Sequence, residues 1–351
     1  MNKSKLAGMA QTVLGSILAE DLGITLPHEH LINDLSFMFS EPSSARQKTL
    51  AHQQVSLENL RWVHYHRLEN LDNLLIVDKQ VAISEALEYK GAGGNTIVDQ
   101  SSIGLGRDPL ALKRVALATG LNIIMGCGFY VGATHSTDIE SKTEEELAEE
   151  IVHDVNVGVE NTGVRAGIIG EIGCTWPWVD NERKVLRAAA RAQQQTGAPL
   201  SIHPGRHPSS PFDIVEILRD AGADSSRTVI CHIDRTLRDP DKRQKLAETG
   251  CYLEYDLFGW EGYYIKGPVS VDLPNDTQRI DELNQLIKQG YLSQILISHD
   301  ICFKLDLCRY GGRSYSHILE NVVPLMRDKG MPEENIHTIL VENPKRLLQF
   351  V

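Results

Sequence analysis

The chain has no apolar run approaching the roughly 20 residues that a membrane-spanning helix requires. Its first fifteen residues also lack the apolar core of about 7–15 residues that is typical of a secretory signal peptide. The six cysteines are scattered and include no C-x-x-C pair, which disfavours disulfides and a cysteine zinc site. These absences predict a soluble cytoplasmic protein with reduced thiols and no membrane partner.

Positive charge is also scarce. The chain carries 35 Lys and Arg against 47 Asp and Glu, for a formal net charge of -12. Binding to nucleic-acid phosphates depends on clustered Lys and Arg, so this balance argues against a nucleic-acid partner. We expect a small-molecule partner instead, and any attraction for an anion must come from a local basic patch.

What is present is a regular alternation of short apolar runs and amphipathic stretches, which is typical of strand–helix units on a parallel sheet. A doubly wound open sheet is the alternative fold. The pattern favours one α/β domain over residues 1–351, a (β/α)₈ TIM barrel with its active site at the carboxyl ends of the strands. The predicted strands are residues 24–28, 96–100, 122–126, 167–172, 200–203, 228–232, 252–256 and 294–298, and the predicted helices are residues 79–89, 109–119, 143–159, 181–196, 212–221, 239–249, 276–288 and 314–329.

Three segments depart from the alternation. Residues 9–21 are predicted to form an N-terminal hairpin, and residues 37–73 a long, partly helical insertion before the first crossover helix. The insertion is suited to a rim of the active site or to a contact in a homo-oligomer. Residues 258–274, rich in glycine and aromatics, are predicted to form a lid or a pocket wall.

Two histidines spaced i, i+2 stand at the end of the first predicted strand. Side chains two apart on a strand share a face, so His28 and His30 can bind one metal ion. The same spacing recurs at His64 and His66, but there it falls in a predicted helix, where such side chains diverge. We therefore assign only the first pair to a metal site.

Four further residues end predicted strands in the same way. Glu171 lies in an apolar strand between glycines, where an unpaired carboxylate is costly to bury and a cation would stabilise it. His203 and His232 end strands five and six, and Asp300 follows strand eight. Because these strands would end at one rim, we predict a two-metal site. Asp300 is also placed to accept a proton from an attacking water.

The order of these residues resembles the amidohydrolase superfamily. The segments GITLPHEHL, GEIGC, SIHPGR, CHIDRT and ISHD, with the terminal ENPKRLL, resemble the phosphotriesterase family and its related branch over nearly the whole chain. Phosphotriesterases usually carry a carboxylated lysine on strand four. Glu171 takes that position here, which argues against organophosphate hydrolysis and for the Glu-bearing related branch.

The resemblance implies a binuclear centre, with zinc as the expected metal. His28, His30 and Asp300 would hold one ion, His203 and His232 the other, and Glu171 would bridge them. The Glu-bearing branch is associated with hydrolysis of short N-acyltaurines, chiefly N-acetyltaurine, to taurine and acetate. This implies an amidase for a small anionic N-acyl substrate.

Residues that could bind such a substrate follow several strands. Tyr130, after strand three, resembles a tyrosine that lines the metal pocket of lactonase-like relatives. Four basic residues are candidates for the anionic group: Arg206, Arg235, Lys304 and Arg309. A lactonase or phosphotriesterase remains an alternative, as does a non-catalytic ligand-binding barrel. The intact ligand set speaks against the last, because binding alone does not require both carboxylates.

Overall fold

Eight parallel strands form one sheet that curls almost into a closed barrel, as seen in a computed structural model that describes residues 7–261, 264–265 and 269–351. Neighbours in the sheet follow chain order. The first and last strands approach each other where the backbone N–H of Asp300 donates to the carbonyl of His28 over 3.3 Å. The predicted TIM-barrel fold is confirmed. The strands are β1 Thr25–Glu29, β2 Thr96–Asp99, β3 Asn122–Cys127, β4 Ile168–Gly173, β5 Leu200–His203, β6 Thr228–Ile230, β7 Tyr252–Tyr255 and β8 Ile295–Ile297.

Helices follow the strands around the outside of the barrel. The predicted helix at residues 314–329 is divided in the structure into a π-helical turn, Ile318–Val322, and a short α-helix. The chain ends with Glu333–His337, a π-helical turn Thr338–Glu342, and Asn343–Leu348. The main helices are α1 Lys79–Gly91, α2 Pro109–Thr119, α3 Glu144–Asn156, α4 Asp180–Thr196, α5 Ser210–Asp220, α6 Pro240–Ala247, α7 Asp276–Lys288 and α8 Val323–Asp328.

Local signals explain where these helices begin and end. At the start of α2, the Asp108 side chain accepts a hydrogen bond from the backbone N–H of Ala111, and Pro109 stands in the first turn. Gly120 ends α2 in a left-handed conformation (φ 67°), which glycine adopts without strain. Thr143 and Glu146 form a capping box at the start of α3.

Alternate residues of the strands pack on opposite faces of the sheet. Ile97 belongs to the large core between sheet and helices, whereas its neighbour Val98 packs with residues of the N-terminal hairpin and the C-terminal helix. The hairpin consists of Met9–Thr12 and Gly15–Leu18, paired antiparallel. The backbone N–H of Phe350 donates to the carbonyl of Met9 over 2.8 Å. The hairpin and the C-terminal segment therefore pack together at the amino end of the barrel, away from the carboxyl ends of the strands.

The segment before α1 packs over the carboxyl ends. It contains the helices Ala45–Ala51 and Leu60–Tyr65 and several 3₁₀ turns. Arg67 of this segment binds the Asp306 carboxylate over 3.1 Å, and both side chains are buried. Arg67 also stacks over the Trp260 ring at 4.5 Å. Of the predicted lid or pocket wall, residues 262–263 and 266–268 lie outside the described residues.

The state of the cysteines and the length of the helices bear on two of the predictions. All six cysteines are free thiols, and four of them are buried. Burial raises the pKa of the Cys127 and Cys251 thiols, the latter to about 11, so both are held as neutral core residues. Across the described ranges, no helix has both the length and the apolar character needed to traverse a bilayer.

Candidate metal centre

Six side chains from five different strands meet at the carboxyl end of the barrel. His28 belongs to β1, Glu171 to β4 and His203 to β5. The other three stand just after a strand: His30 after β1, His232 after β6 and Asp300 after β8. The parallel barrel brings together residues that are far apart in the chain, and it does so for each of the six predicted from the sequence.

One half of the cluster is centred on Asp300. Its Oδ1 atom lies 3.2 Å from Nε2 of His30 and 3.8 Å from Nε2 of His28. Nε2 of His28 is also 3.7 Å from Oε1 of Glu171. These separations are suitable for donor atoms around one ion. The donor atoms of His28, His30 and Asp300 all lie within 4.8 Å of one another.

The other half is centred on Glu171. Its Oε1 atom lies 2.6 Å from Nδ1 of His203 and 3.0 Å from Nε2 of His232. The two imidazole nitrogens are themselves 2.9 Å apart. Glu171 also faces His28, so one carboxylate stands between the two groups of histidines. This is the position that a bridging ligand requires.

Two further observations indicate that the cluster suits metal ions. Nε2 of His28 is buried and has no hydrogen-bond partner among the described residues. A buried polar atom without a partner costs roughly 1–3 kcal/mol, and a cation would satisfy it. Imidazole and carboxylate donors together also suit zinc and similar divalent ions.

Electrostatics favour a cation as well. Burial alone would raise the pKa of Glu171, but His203 and His28 hold it well below its usual value, so the carboxylate is anionic. Burial lowers the pKa of His203 to about 4, which leaves a neutral imidazole with a lone pair for a metal. Burial would also lower the pKa of His232, but the Asp256 carboxylate raises it to about 9.

Two of the six residues have unusual backbones. His232 has φ 54° and Asp300 has φ 51°, both in the left-handed region that non-glycine residues rarely adopt. Such conformations cost on the order of 1–3 kcal/mol each and tend to occur at functional sites. Here they turn two side chains toward the cluster just after β6 and β8.

A surrounding set of polar residues orients the histidines. Nδ1 of His30 lies 2.9 Å from the Ser101 hydroxyl, and Nδ1 of His28 lies 3.2 Å from Glu254 Oε2. Asp256 contacts both His28 and His232. We did not predict Glu254 and Asp256, although two carboxylates spaced i, i+2 near the end of β7 repeat the signal used for His28 and His30. Ser101 gives no comparable signal in the sequence.

His299, which precedes Asp300, faces away from the cluster. Its Nδ1 atom lies 2.6 Å from Glu29 Oε1, and its Nε2 atom accepts from the backbone N–H of Ile318 over 3.0 Å. Both ring nitrogens are therefore engaged in the interior. His64 lies in the helix Leu60–Tyr65 and His66 directly follows it. His66 lines the cavity above the cluster.

A cavity of about 360 Å³ opens above the cluster. Three of the residues predicted to contact a substrate, Tyr130, Arg206 and Arg235, line its wall. The Tyr130 hydroxyl lies 3.3 Å from Nδ1 of His203, and Arg235 donates to the carbonyl of Pro204 over 2.7 Å. The apolar part of the wall consists of Leu35, Met38, Leu68, Leu105, Leu257, Trp260, Ile265 and Phe303.

The two other basic candidates are engaged outside this cavity. Nζ of Lys304 lies 2.6 Å from Oδ1 of Asp72 in the insertion. Arg309 is exposed, and its backbone N–H binds Glu85 of α1 over 2.9 Å. The structure thus brings two of the four basic candidates to the cavity. A cation that we did not predict, Arg67, also lines it.

Arg206 and Arg235 influence each other. Burial, and then the charge of Arg235, lower the pKa of Arg206 to about 10, so the guanidinium remains charged at neutral pH. An anion between the two would relieve their repulsion. The cavity therefore combines a cluster of candidate metal-binding groups with three arginines in its wall, one of which, Arg67, is paired with Asp306.

An eight-stranded barrel with histidines and carboxylates gathered at this end is characteristic of metal-dependent hydrolases. The model of the phosphotriesterase family matches residues 8–348. The chain belongs to the phosphotriesterase family, and it is a hydrolase. It is 47% identical to the N-acetyltaurine hydrolase of Xenopus tropicalis, with 99% of each chain covered.

Two solved structures share the fold over almost the whole chain. A resiniferatoxin-binding protein from Rhodobacter sphaeroides superposes with a TM-score of 0.93 at 34% identity, covering 97% of this chain and 95% of that one. The lactonase Lmo2620 from Listeria monocytogenes superposes with a TM-score of 0.80 at 26% identity, covering 98% and 99%. Both agree with the barrel described above.

Proposed function

We propose that this protein hydrolyses the amide bond of N-acetyltaurine and other short N-acyltaurines, releasing taurine and a carboxylic acid. The observation that carries the proposal is the juxtaposition of six candidate metal-binding side chains with Arg206 and Arg235. Four of the six line the same cavity as the two arginines: His30, Glu171, His203 and Asp300. The first group suits amide hydrolysis, and the second suits a substrate with an anionic end. The N-acetyltaurine hydrolase of Xenopus tropicalis, similar over the full length, supports the same substrate.

The proposed cofactor is a pair of divalent ions, zinc being favoured by the ligand types. His28, His30 and Asp300 would hold one ion, His203 and His232 the other, and Glu171 would belong to both. When bound, such ions lower the pKa of water from about 15.7 toward roughly 7 and polarise a carbonyl oxygen. Glu171 and Asp300 offset part of their charge.

The residues of the chain then have distinct roles. Asp300 accepts the proton of the attacking water and passes it to the leaving nitrogen, since its carboxylate faces the cavity beside His30. Tyr130 is placed to donate a hydrogen bond near His203, where the acyl oxygen would lie. The apolar wall, which includes Leu105 and Phe303, limits access of bulk water.

Arg206 and Arg235 bind the sulfonate in this proposal. A chain of net charge -12 has no general attraction for an anion, so recognition must come from cations placed in the cavity. A hydrogen bond to a charged group contributes roughly 1.5–3 kcal/mol, or about 10–150-fold in binding. The sulfonate should therefore be the main determinant of affinity.

The test compares three amides as substrates of the purified, metal-loaded protein. N-acetylethylamine keeps the amide and carbon chain of N-acetyltaurine but lacks the sulfonate, and N-acetyl-β-alanine replaces the sulfonate with a carboxylate. We expect kcat/KM to fall by about 10–150-fold for the neutral amide and to recover in part for the carboxylate. Equal turnover of the neutral amide would refute recognition of an anion.

A lactonase is the second candidate, supported by the similar Listeria lactonase. The same cluster would suit attack on an ester carbonyl, and the apolar wall with Trp260 and Leu257 would suit an acyl chain. Screening lactones beside N-acyltaurines separates the two. A strong preference for lactones over all amides would replace the amidase proposal.

We also propose a cytoplasmic location, which the six free thiols support. Fractionation of cells, with detection by an antibody, tests it. Recovery of the protein in a secretory compartment would contradict it.

A further inference from the structure

The geometry points to Asp256 as a positioning residue that couples the two halves of the metal centre. This inference rests on the proposed function, because it concerns how that centre is loaded with ions. Asp256 stands directly after β7 and is fully buried. Its Oδ1 atom lies 2.8 Å from Nδ1 of His232, and its Oδ2 atom lies 3.0 Å from Nδ1 of His28.

One carboxylate thus contacts a histidine from each half. An ionised carboxylate only accepts hydrogen bonds, so both Nδ1 atoms must carry the proton. Metal binding requires the Nε2 atoms of His28 and His232 to be unprotonated, and both face Glu171, at 3.7 Å and 3.0 Å. Asp256 therefore favours this tautomer and orients the ring in two ligands that belong to different ions. At His28 it shares this role with Glu254, whose Oε2 atom lies 3.2 Å from the same Nδ1 atom.

Asp256 also fixes the main chain beside one of these ligands. The backbone N–H of His232 donates to Oδ1 of Asp256 over 3.1 Å, at a residue held in the left-handed conformation. Loss of the carboxylate would release the side chain of His232 and its backbone together. The same substitution would remove one of the two carboxylates that contact Nδ1 of His28, leaving Glu254 as the other.

Ser101 provides a matched control because it orients a single ligand. Its hydroxyl donates to the carbonyl of Ile32 over 2.9 Å and accepts from Nδ1 of His30 over 2.9 Å. Ser101→Ala removes one buried hydrogen bond from one half of the centre. Asp256→Ser removes both carboxylate oxygens, so the Nδ1 atoms of His28 and His232 lose this acceptor together.

The experiment measures ion affinity rather than turnover. Apo protein is titrated with Zn²⁺ against a chromophoric chelator, and circular dichroism checks that each variant is folded. Substituting an outer partner of a metal ligand typically weakens metal affinity by about 10–100-fold. We expect Asp256→Ser to weaken both ions by this order, and Ser101→Ala to weaken only one. If Asp256→Ser fails to fold, Asp256→Ala, which also lacks both oxygens, takes its place.

The outcomes separate this inference from the function on which it rests. An Asp256 variant that weakens one ion, with the other unchanged within about twofold, would refute the coupling while leaving the metal centre intact. Retention of both ions with unchanged affinity would refute any positioning role. A wild-type chain that binds no ion would refute the metal centre itself, and with it the proposed hydrolysis.

Discussion

The carboxylate of Asp300 lies 3.2 Å from Nε2 of His30, although the two residues come from opposite ends of the chain. The approach of β8 to β1 brings them together, and the left-handed backbone of Asp300 turns its side chain toward the cavity. A carboxylate in this place can bind an ion through one oxygen and accept a proton through the other. The two roles can be separated by substitution.

Asp300→Asn keeps an oxygen that can bind a metal but removes the group that accepts a proton. We expect the variant to fold and to retain much of its metal, because the other five candidate ligands are unchanged. Activity on N-acetyltaurine should fall by about 10²–10⁴-fold, the usual contribution of general acid–base catalysis. Turnover and metal content are measured on the same sample. Turnover within a few-fold of wild type would leave Asp300 with a ligand role only.

Glu171→Gln removes the negative charge between the two groups of histidines while keeping the size of the side chain. Oε1 of Glu171 lies 2.6 Å from Nδ1 of His203 in one half and 3.7 Å from Nε2 of His28 in the other, so the loss should affect both halves of the centre. We expect lower metal retention after dialysis as well as lower turnover. Elemental analysis of the dialysed protein measures the first. Full metal content with full activity would place the bridge elsewhere.

The barrel and the six clustered residues were predictable from the sequence because apolar strands that end in a histidine or carboxylate carry a strong local signal. Asp256 carried the same signal, and we interpreted its segment only as a strand. The positions of Lys304 and Arg309 were not predictable. A loop cation can turn either way, and the carboxylate that binds Lys304 comes from Asp72 in the distant insertion.

The structure of the insertion was the least predictable part, since residues 37–73 form short helices and 3₁₀ turns with no sustained periodicity. Its position depends on contacts that join distant parts of the chain, such as Arg67 with Asp306. The side chain of Arg67 also packs on Trp260, which belongs to another loop. Such contacts are set by the folded barrel rather than by local sequence.

Arg67→Met should destabilise the protein because it leaves the buried Asp306 carboxylate with fewer partners. Removing one member of a buried ion pair typically lowers the free energy of unfolding by about 3–5 kcal/mol. Asp306 would keep a second partner, because NH1 of Arg313 lies 3.1 Å from its Oδ1 atom. We therefore expect a loss at the lower end, about 3 kcal/mol. Arg327→Met is the control, since Arg327 and Glu333 form an exposed pair that water screens, so its loss should change the free energy of unfolding far less. Denaturant unfolding measures both. Equal effects would mean that Arg67 does not anchor the insertion.

Arg206→Ala tests which cations recognise the anionic group. Arg206 lines the cavity, whereas Arg309 is an exposed basic residue outside it, so Arg309→Ala is the matched control with the same change in net charge. We expect Arg206→Ala to lower kcat/KM for N-acetyltaurine by about 10–150-fold, with little change for N-acetylethylamine, which offers no anion to bind. Arg309→Ala should leave both substrates within about twofold. An equal loss on the neutral amide would show that Arg206 supports the shape of the cavity rather than binding the sulfonate, and a loss with Arg309→Ala would indicate long-range attraction by net charge.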